Sequence, residues 1–156
     1  MGKHFIQVVI YIELLIKFII KEIKMKIVIN SCYGGFSLSD KAIIRYAEIK
    51  GIKLYQSVER HCFDYSFYLV PEDDYNKLHA EDERNGNYNL SNAVYFRDNQ
   101  IERTDLALIQ VVEKLGKEAN GPHAKLSVVE IPNDIKWEIT DYDGLETVEE
   151  EHRSWR

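Results

Sequence analysis

Two glycines flanked by aromatic and hydroxyl-bearing residues, Cys32-Tyr33-Gly34-Gly35-Phe36-Ser37, follow a short apolar run and lead into a helical pattern. The chemistry that such a stretch can do is anion capture. Glycine reaches positive φ and lets the backbone come close to a ligand. N–H groups at a helix start converge on a phosphate, with the helix dipole behind them. Ser37 and Ser39 add hydroxyl donors, and Tyr33 and Phe36 offer ring faces on which a base can stack, worth about 1–3 kcal/mol. The same residues also suit a tight turn with its aromatics tucked into the core.

Arg103-Thr104-Asp105 stands at a second helix start. Thr104 or Asp105 suits the N-cap. Arg103 is a cation at the positive end of a helix, which is electrostatically unfavourable. A bound phosphate reverses that sign, because arginine is a fork donor to phosphate. On this reading, loss of Arg103 weakens binding and hardly alters stability. If Arg103 pairs instead with a carboxylate such as Asp105, the reverse holds. A third group, His152, Arg153 and Trp155 of the C-terminal "EHRSW", can close over a ligand by stacking and charge, or pack on its own domain.

Composition removes several classes. The net charge is −6, and no charge run is basic, so a duplex nucleic acid is not the expected partner. Glu72, Asp73 and Asp74 form an acidic run, as do Glu149, Glu150 and Glu151. Cys32 and Cys62 have neither zinc nor disulfide-framework spacing, and His4, His61, His79, His123 and His152 are scattered. No metal, cofactor or catalytic set is expected.

The elements that must position these groups come next. Residues 1–24 are largely apolar, but Gln7, Glu13 and Lys17 interrupt them. The run is too short and too charged for a membrane span. Glu13, Lys17, Lys21 and Lys24 recur at helical spacing, which predicts a helical extension. Residues 25–156 read as a single ligand-binding domain. A strand is expected over 26–30 and a helix over 39–50, with Ser39 as N-cap, Leu38 stapled to Ile43 and Gly51 at the close. Strands are expected over 54–58, 63–70 and 93–96, with a polar loop over 71–90. A second helix begins at Thr104 or Asp105 with Leu106, Leu108, Ile109, Val112 and Leu115 on its apolar face, ending at Asn120-Gly121. Strands over 126–131 and 135–139 follow, then an acidic tail. The expected fold is α+β, with a small mixed sheet and two main helices.

The segments "MKIVINSCYGGFSLSDKAI", "RTDLALIQVVEKLGKEANG", "AKLSVVEIP" and "YDGLETVEEEHRSW" together resemble the phage-encoded Thoeris anti-defence proteins of the first type. The resemblance covers residues 25–155 and leaves out the first 24. It implies a sponge and not an enzyme. Proteins of that family sequester cyclic ADP-ribose isomers made by bacterial TIR-domain immune proteins, leave the ligand uncleaved and keep the defence effector silent. Some also hold cyclic oligonucleotides in separate sites, and the assemblies are oligomeric. Carried onto this chain, the resemblance sets Cys32, Tyr33, Gly34, Gly35, Phe36, Ser37, Arg103 and Thr104 near the ligand, in a protein of the bacterial host's cytoplasm; Asp105 at the helix start and Arg153 of the tail join them as candidate contacts.

Two other classes stay open. The same anion cradle, with Asp105, His61 and His152 at hand, suits a small phosphodiesterase or nucleotide hydrolase. The acidic run at Glu72, Asp73 and Asp74 suits a protein–protein inhibitor. The apolar extension and the strand "FDYSFYLV" would leave more apolar surface than a monomer shows, so a closed homo-oligomer is expected.

Overall fold

The computed structural model describes residues 10–13, 15–16, 24–61 and 64–151. Residues 10–13 and 15–16 are helical, in line with a helical extension, while the rest of that segment and His152, Arg153 and Trp155 lie outside the described residues. The fold is α+β. The expected single mixed sheet is instead three separate two-stranded antiparallel ladders.

Strand β1 (Lys24–Asn30) pairs with β4 (Leu126–Pro132) in the register Val28 to Val128. Strands β2 (Tyr55–His61) and β3 (Asp64–Tyr68) form a hairpin, and β5 (Trp137–Tyr142) and β6 (Leu145–Glu150) form another. The expected acidic tail therefore begins as a strand. Asp143 and Gly144, at φ of 53° and 83°, make the tight turn before it, as a primed two-residue hairpin turn requires.

Helix α1 (Asp40–Lys50) follows its local signals. The Ser39 hydroxyl accepts from the Ala42 N–H, Asp40 opens the first turn, and Gly51 closes the helix at φ 66°. Ala42, Ile43, Tyr46 and Ala47 are its buried face. Leu38 and Ile43 share the core, as the staple reading expects.

The 71–90 segment is corrected from loop to helix α2 (Glu72–Asn85). Pro71 precedes it, three carboxylates suit its positive end, and Gly86 at φ 68° caps it. A short helix α3 (Asn89–Val94) takes the first half of the expected 93–96 strand, and only a single bridge from Tyr95 to Tyr68 remains. The cause is non-local. The buried Asp82 carboxylate of α2 accepts from the N–H groups of Leu90 and Ser91 and from the Ser91 hydroxyl, which caps α3 from outside its own sequence.

Helix α4 (Leu106–Leu115) ends earlier than expected, at Gly116 (φ 54°), and a 3-10 turn (Gly116–Ala119) carries the chain on to Asn120. Its inner face is Ala107, Leu108, Ile109, Val111 and Val112, while Leu106 is 83% exposed. Helices α1 and α4 pack together, and α4 lies on β1 and β4. Val28, Leu38, Tyr46, Phe67, Leu108 and Val111 belong to the resulting core. Phe67 and Tyr68 of "FDYSFYLV" are thus inside, which lessens the exposed surface that strand was expected to contribute. Among the described residues, no helix is long and apolar enough to cross a membrane.

Candidate functional site

The end of β1 is a buried polar knot. The Asn30 side chain donates to the carbonyls of Cys32 and Gly144, each at 2.6 Å, and accepts from the Lys125 N–H at 2.7 Å. Its backbone N–H donates to Glu146 Oε2 at 2.7 Å. Glu146, 7% exposed, takes Arg103 Nη2 on its other oxygen at 2.9 Å. The Arg103 guanidinium lies 3.3 Å from the centroid of the Phe36 ring. Three stretches of chain that are distant in sequence therefore meet at Asn30: the strand end with the glycine loop that follows it, the 123–126 region and the β5–β6 turn.

This knot sets the shape of the glycine loop. Gly34 and Gly35 sit at φ of 143° and 86°. A Cβ on Gly34 would overlap the His123 backbone, and one on Gly144 would overlap the Gly34 and Gly35 nitrogens. These glycines serve close backbone packing, which is the turn reading of the motif. Cys32 is half-buried, and its thiol donates to Asn30 Oδ1 at 3.4 Å and to the His123 carbonyl at 3.3 Å. Tyr33 projects at 64% exposure beside a shallow depression bordered by Gly34, Gly35, Asp143 and Gly144.

Arg103 is corrected from a free cation at a helix start to a paired one. Burial works against its charge and lowers its pKa, while Glu146 and then Asp98 favour the charged form. Its Nη1 is buried with no hydrogen-bond partner among the described residues. Thr104 is half-buried, and Asp105, not Thr104, is the cap. Its carboxylate accepts from the N–H groups of Ala107 and Leu108 and from Lys50 Nζ at 2.8 Å. Burial pushes the Asp105 carboxyl up, but Lys50 and the two N–H groups outweigh that and hold it below the usual carboxylate range. The first-turn donors of α4 are thus already engaged by an anionic side chain. The first turn of α1 is likewise met by Ser39. Two open helix starts facing one anion, as the sequence suggests, are not what the fold builds.

The structure opens on the other limb of the loop. Phe36, Ser37 and Leu38 form one wall of a cleft of about 420 Å³, with Tyr65 and Phe67 of β3 at its base and residues 95–99 opposite. Tyr95, Phe96 and Arg97 also border a neighbouring depression of about 680 Å³ that reaches Asn92 and Asp105. Arg97 is exposed, donates to Asn92 Oδ1 at 2.6 Å, and lies 6.0 Å from the centroid of the Tyr95 ring. Asp98 accepts from the Leu38 N–H at 2.7 Å, which ties the two walls together. Burial pushes the Asp98 carboxyl up, against that hydrogen bond and the Arg103 charge.

The structure thus brings Phe36, Ser37 and the 95–99 segment around one cleft, and joins Phe36 to Arg103. It sets Tyr33 by the β5–β6 turn instead, and Arg153 lies outside the described residues. The sequence reading does not single out Tyr95, Phe96, Arg97 or Asn99: the first two fall within the expected 93–96 strand and the other two just beyond it. The signal was present in "YFRDN": two rings next to a fork donor and an amide. Among the described residues, no group of three or more His, Cys, Asp or Glu side chains is placed to hold a metal ion. In comparisons with known proteins, no family model, no curated protein and no solved structure matches this chain.

Proposed function

We propose that the chain is a nucleotide-binding protein that captures a cyclic ADP-ribose isomer and holds it uncleaved. In this role it acts as a phage anti-defence sponge in the cytoplasm of the bacterial host, assembled as a homo-oligomer. The observation that carries the reading is the cleft between Phe36, Ser37 and the 95–99 segment, where aromatic rings stand beside the unburied guanidinium of Arg97. A dinucleotide-like ligand presents an adenine that stacks and a pyrophosphate that takes a fork donor. The motif resemblance over residues 25–155 names the ligand class. Ring, guanidinium, hydroxyl and amide are groups that hold a nucleotide, and retention is what sequestration needs. Nanomolar affinity corresponds to about −12 kcal/mol, within reach of stacking plus a paired pyrophosphate once association costs are met.

Asp98 favours a second reading. A carboxyl raised by burial in a ligand cleft is a candidate general acid, as a nucleotide hydrolase would need. One experiment separates the two. The protein is titrated calorimetrically with a cyclic ADP-ribose isomer, then heat-denatured, and the supernatant is chromatographed. Saturable binding with intact ligand recovered supports sequestration. Catalytic conversion of excess ligand by sub-stoichiometric protein supports the hydrolase, and a flat titration removes both.

A further inference from the structure

Between β3 and α2 lies another depression, of about 480 Å³, with Tyr68, Tyr75, Tyr95, Glu72, Ser66 and Asn76 on its walls and His79 at its edge. The ring pairs are not arranged as a slot. Tyr68 and Tyr75 stack on each other at 4.2 Å, while Tyr95 stands edge-on to Tyr68 (74°) and tilted to Tyr75 (51°). A flat base needs open parallel faces, and this corner of tilted rings does not offer them. It sets rings at several angles beside a carboxylate, and a ring face attracts a cation through its negative quadrupole. Burial pushes the Tyr68 and Tyr75 hydroxyls up, so both rings stay neutral at physiological pH.

The charge agrees with the rings. Among the described residues, no lysine or arginine borders the depression itself, and Arg97 lies at Tyr95, outside that lining. Glu72 is held in place because one of its oxygens accepts from the Val58 N–H at 2.9 Å. Among the described residues it has no cationic partner, whereas its neighbour Asp74 pairs with Lys77 and Glu83 lies 3.8 Å from His79. The Arg97 guanidinium lies 6.0 Å from the centroid of the Tyr95 ring, so an ammonium group in the depression would have to use the remainder of that ring together with Tyr75.

We propose that this depression binds a compact alkylated ammonium group, recognised by the rings of Tyr75 and Tyr95 and by the Glu72 carboxylate. The site is separate from the nucleotide cleft and stands whether or not that reading does. Tyr95 borders both, so the test uses Tyr75 and Glu72.

The probe is choline, titrated while tyrosine ring resonances are followed by NMR. Its neutral isostere 3,3-dimethylbutan-1-ol is the control. Choline is expected to saturate and the alcohol to bind at least about tenfold more weakly, the scale of a desolvated cation–π contact. Glu72→Gln keeps an oxygen for the Val58 N–H while removing the charge. It should weaken choline by roughly threefold to tenfold and leave the alcohol unchanged. Tyr75→Leu should weaken choline by about tenfold or more, with a thermal melt confirming the fold. If that variant does not fold, the Glu72→Gln titration decides alone. Equal affinity for choline and the alcohol, no saturation by choline, or unchanged choline affinity in Glu72→Gln would each overturn the assignment.

Discussion

At the end of β1, Asn30, Cys32, Arg103 and Glu146 direct their polar atoms at one another and at the loop backbone, and Gly34 and Gly144 there are packed against neighbouring chain. A few residues further along the same loop, Phe36 and Ser37 face a cleft whose opposite wall presents Arg97 and Asn99 to solvent. Both regions contain an arginine beside an aromatic ring: Arg103 over Phe36, and Arg97 over Tyr95. Only the surroundings differ. Arg103 has a buried carboxylate within 2.9 Å, whereas Arg97 has a neutral amide. The same side chain is a structural cation in one place and an available one in the other, and burial with a counter-charge decides which.

The largest expected effect tests that contrast directly. Arg103→Ala leaves Glu146 buried with its ion partner gone, and breaking a buried pair this way costs about 3–5 kcal/mol. Urea unfolding should show the midpoint falling sharply. A variant of wild-type stability with lost ligand affinity would reverse the roles assigned to the two arginines.

Next come the glycines. Gly144 and Gly35 both have positive φ, but a side chain at Gly144 would also overlap the loop backbone, while Gly35 has open space. Gly35→Ala should cost about 1–2 kcal/mol from the left-handed backbone alone. Gly144→Ala should cost about 3 kcal/mol or more, since local strain adds to overlap. Equal losses in thermal melts would mean that the hairpin turn does not hold the loop.

The smallest effect is at the α4 cap. The Asp105 carboxyl is held below its unfolded value. Its stabilisation is therefore present above about pH 4 and is lost as pH falls through the lower, folded value. Asp105→Asn keeps a good cap but removes the charge that pairs with Lys50. At pH 7 it should cost less than about 1 kcal/mol, and the acid-side loss of stability should become shallower. Parallel urea titrations at neutral and acid pH read both numbers. An unchanged acid limb in the variant would assign that loss to other carboxylates.

How much was legible in the sequence follows the range of the interactions. Helix α1 announced itself because Ser39, Asp40 and Gly51 act within one turn of the helix they bound. Helix α2 carried the same kinds of signal in Pro71, its acidic first turn and Gly86, but its polar composition outweighed them and hid the narrow inward stripe of Tyr75, Leu78 and Asp82. The remaining features act across the chain. Asp82 caps a different helix, Glu146 lies 43 residues from Arg103, and Gly144 is required by a loop some 110 residues earlier. No local pattern encodes such pairings. Arg103 therefore read as available and Arg97 passed unnoticed, although both are written plainly in the sequence.

The most direct test compares wild type, Arg97→Ala and Arg103→Ala by calorimetric titration with a cyclic ADP-ribose isomer, each melted in the same buffer. Arg97 makes one surface hydrogen bond and lies over one ring. Its loss should leave stability within about 0.5 kcal/mol and weaken binding roughly tenfold to a hundredfold, the worth of a charge-assisted fork contact. Wild-type affinity in Arg97→Ala, with wild-type stability in Arg103→Ala, would contradict the account at its centre.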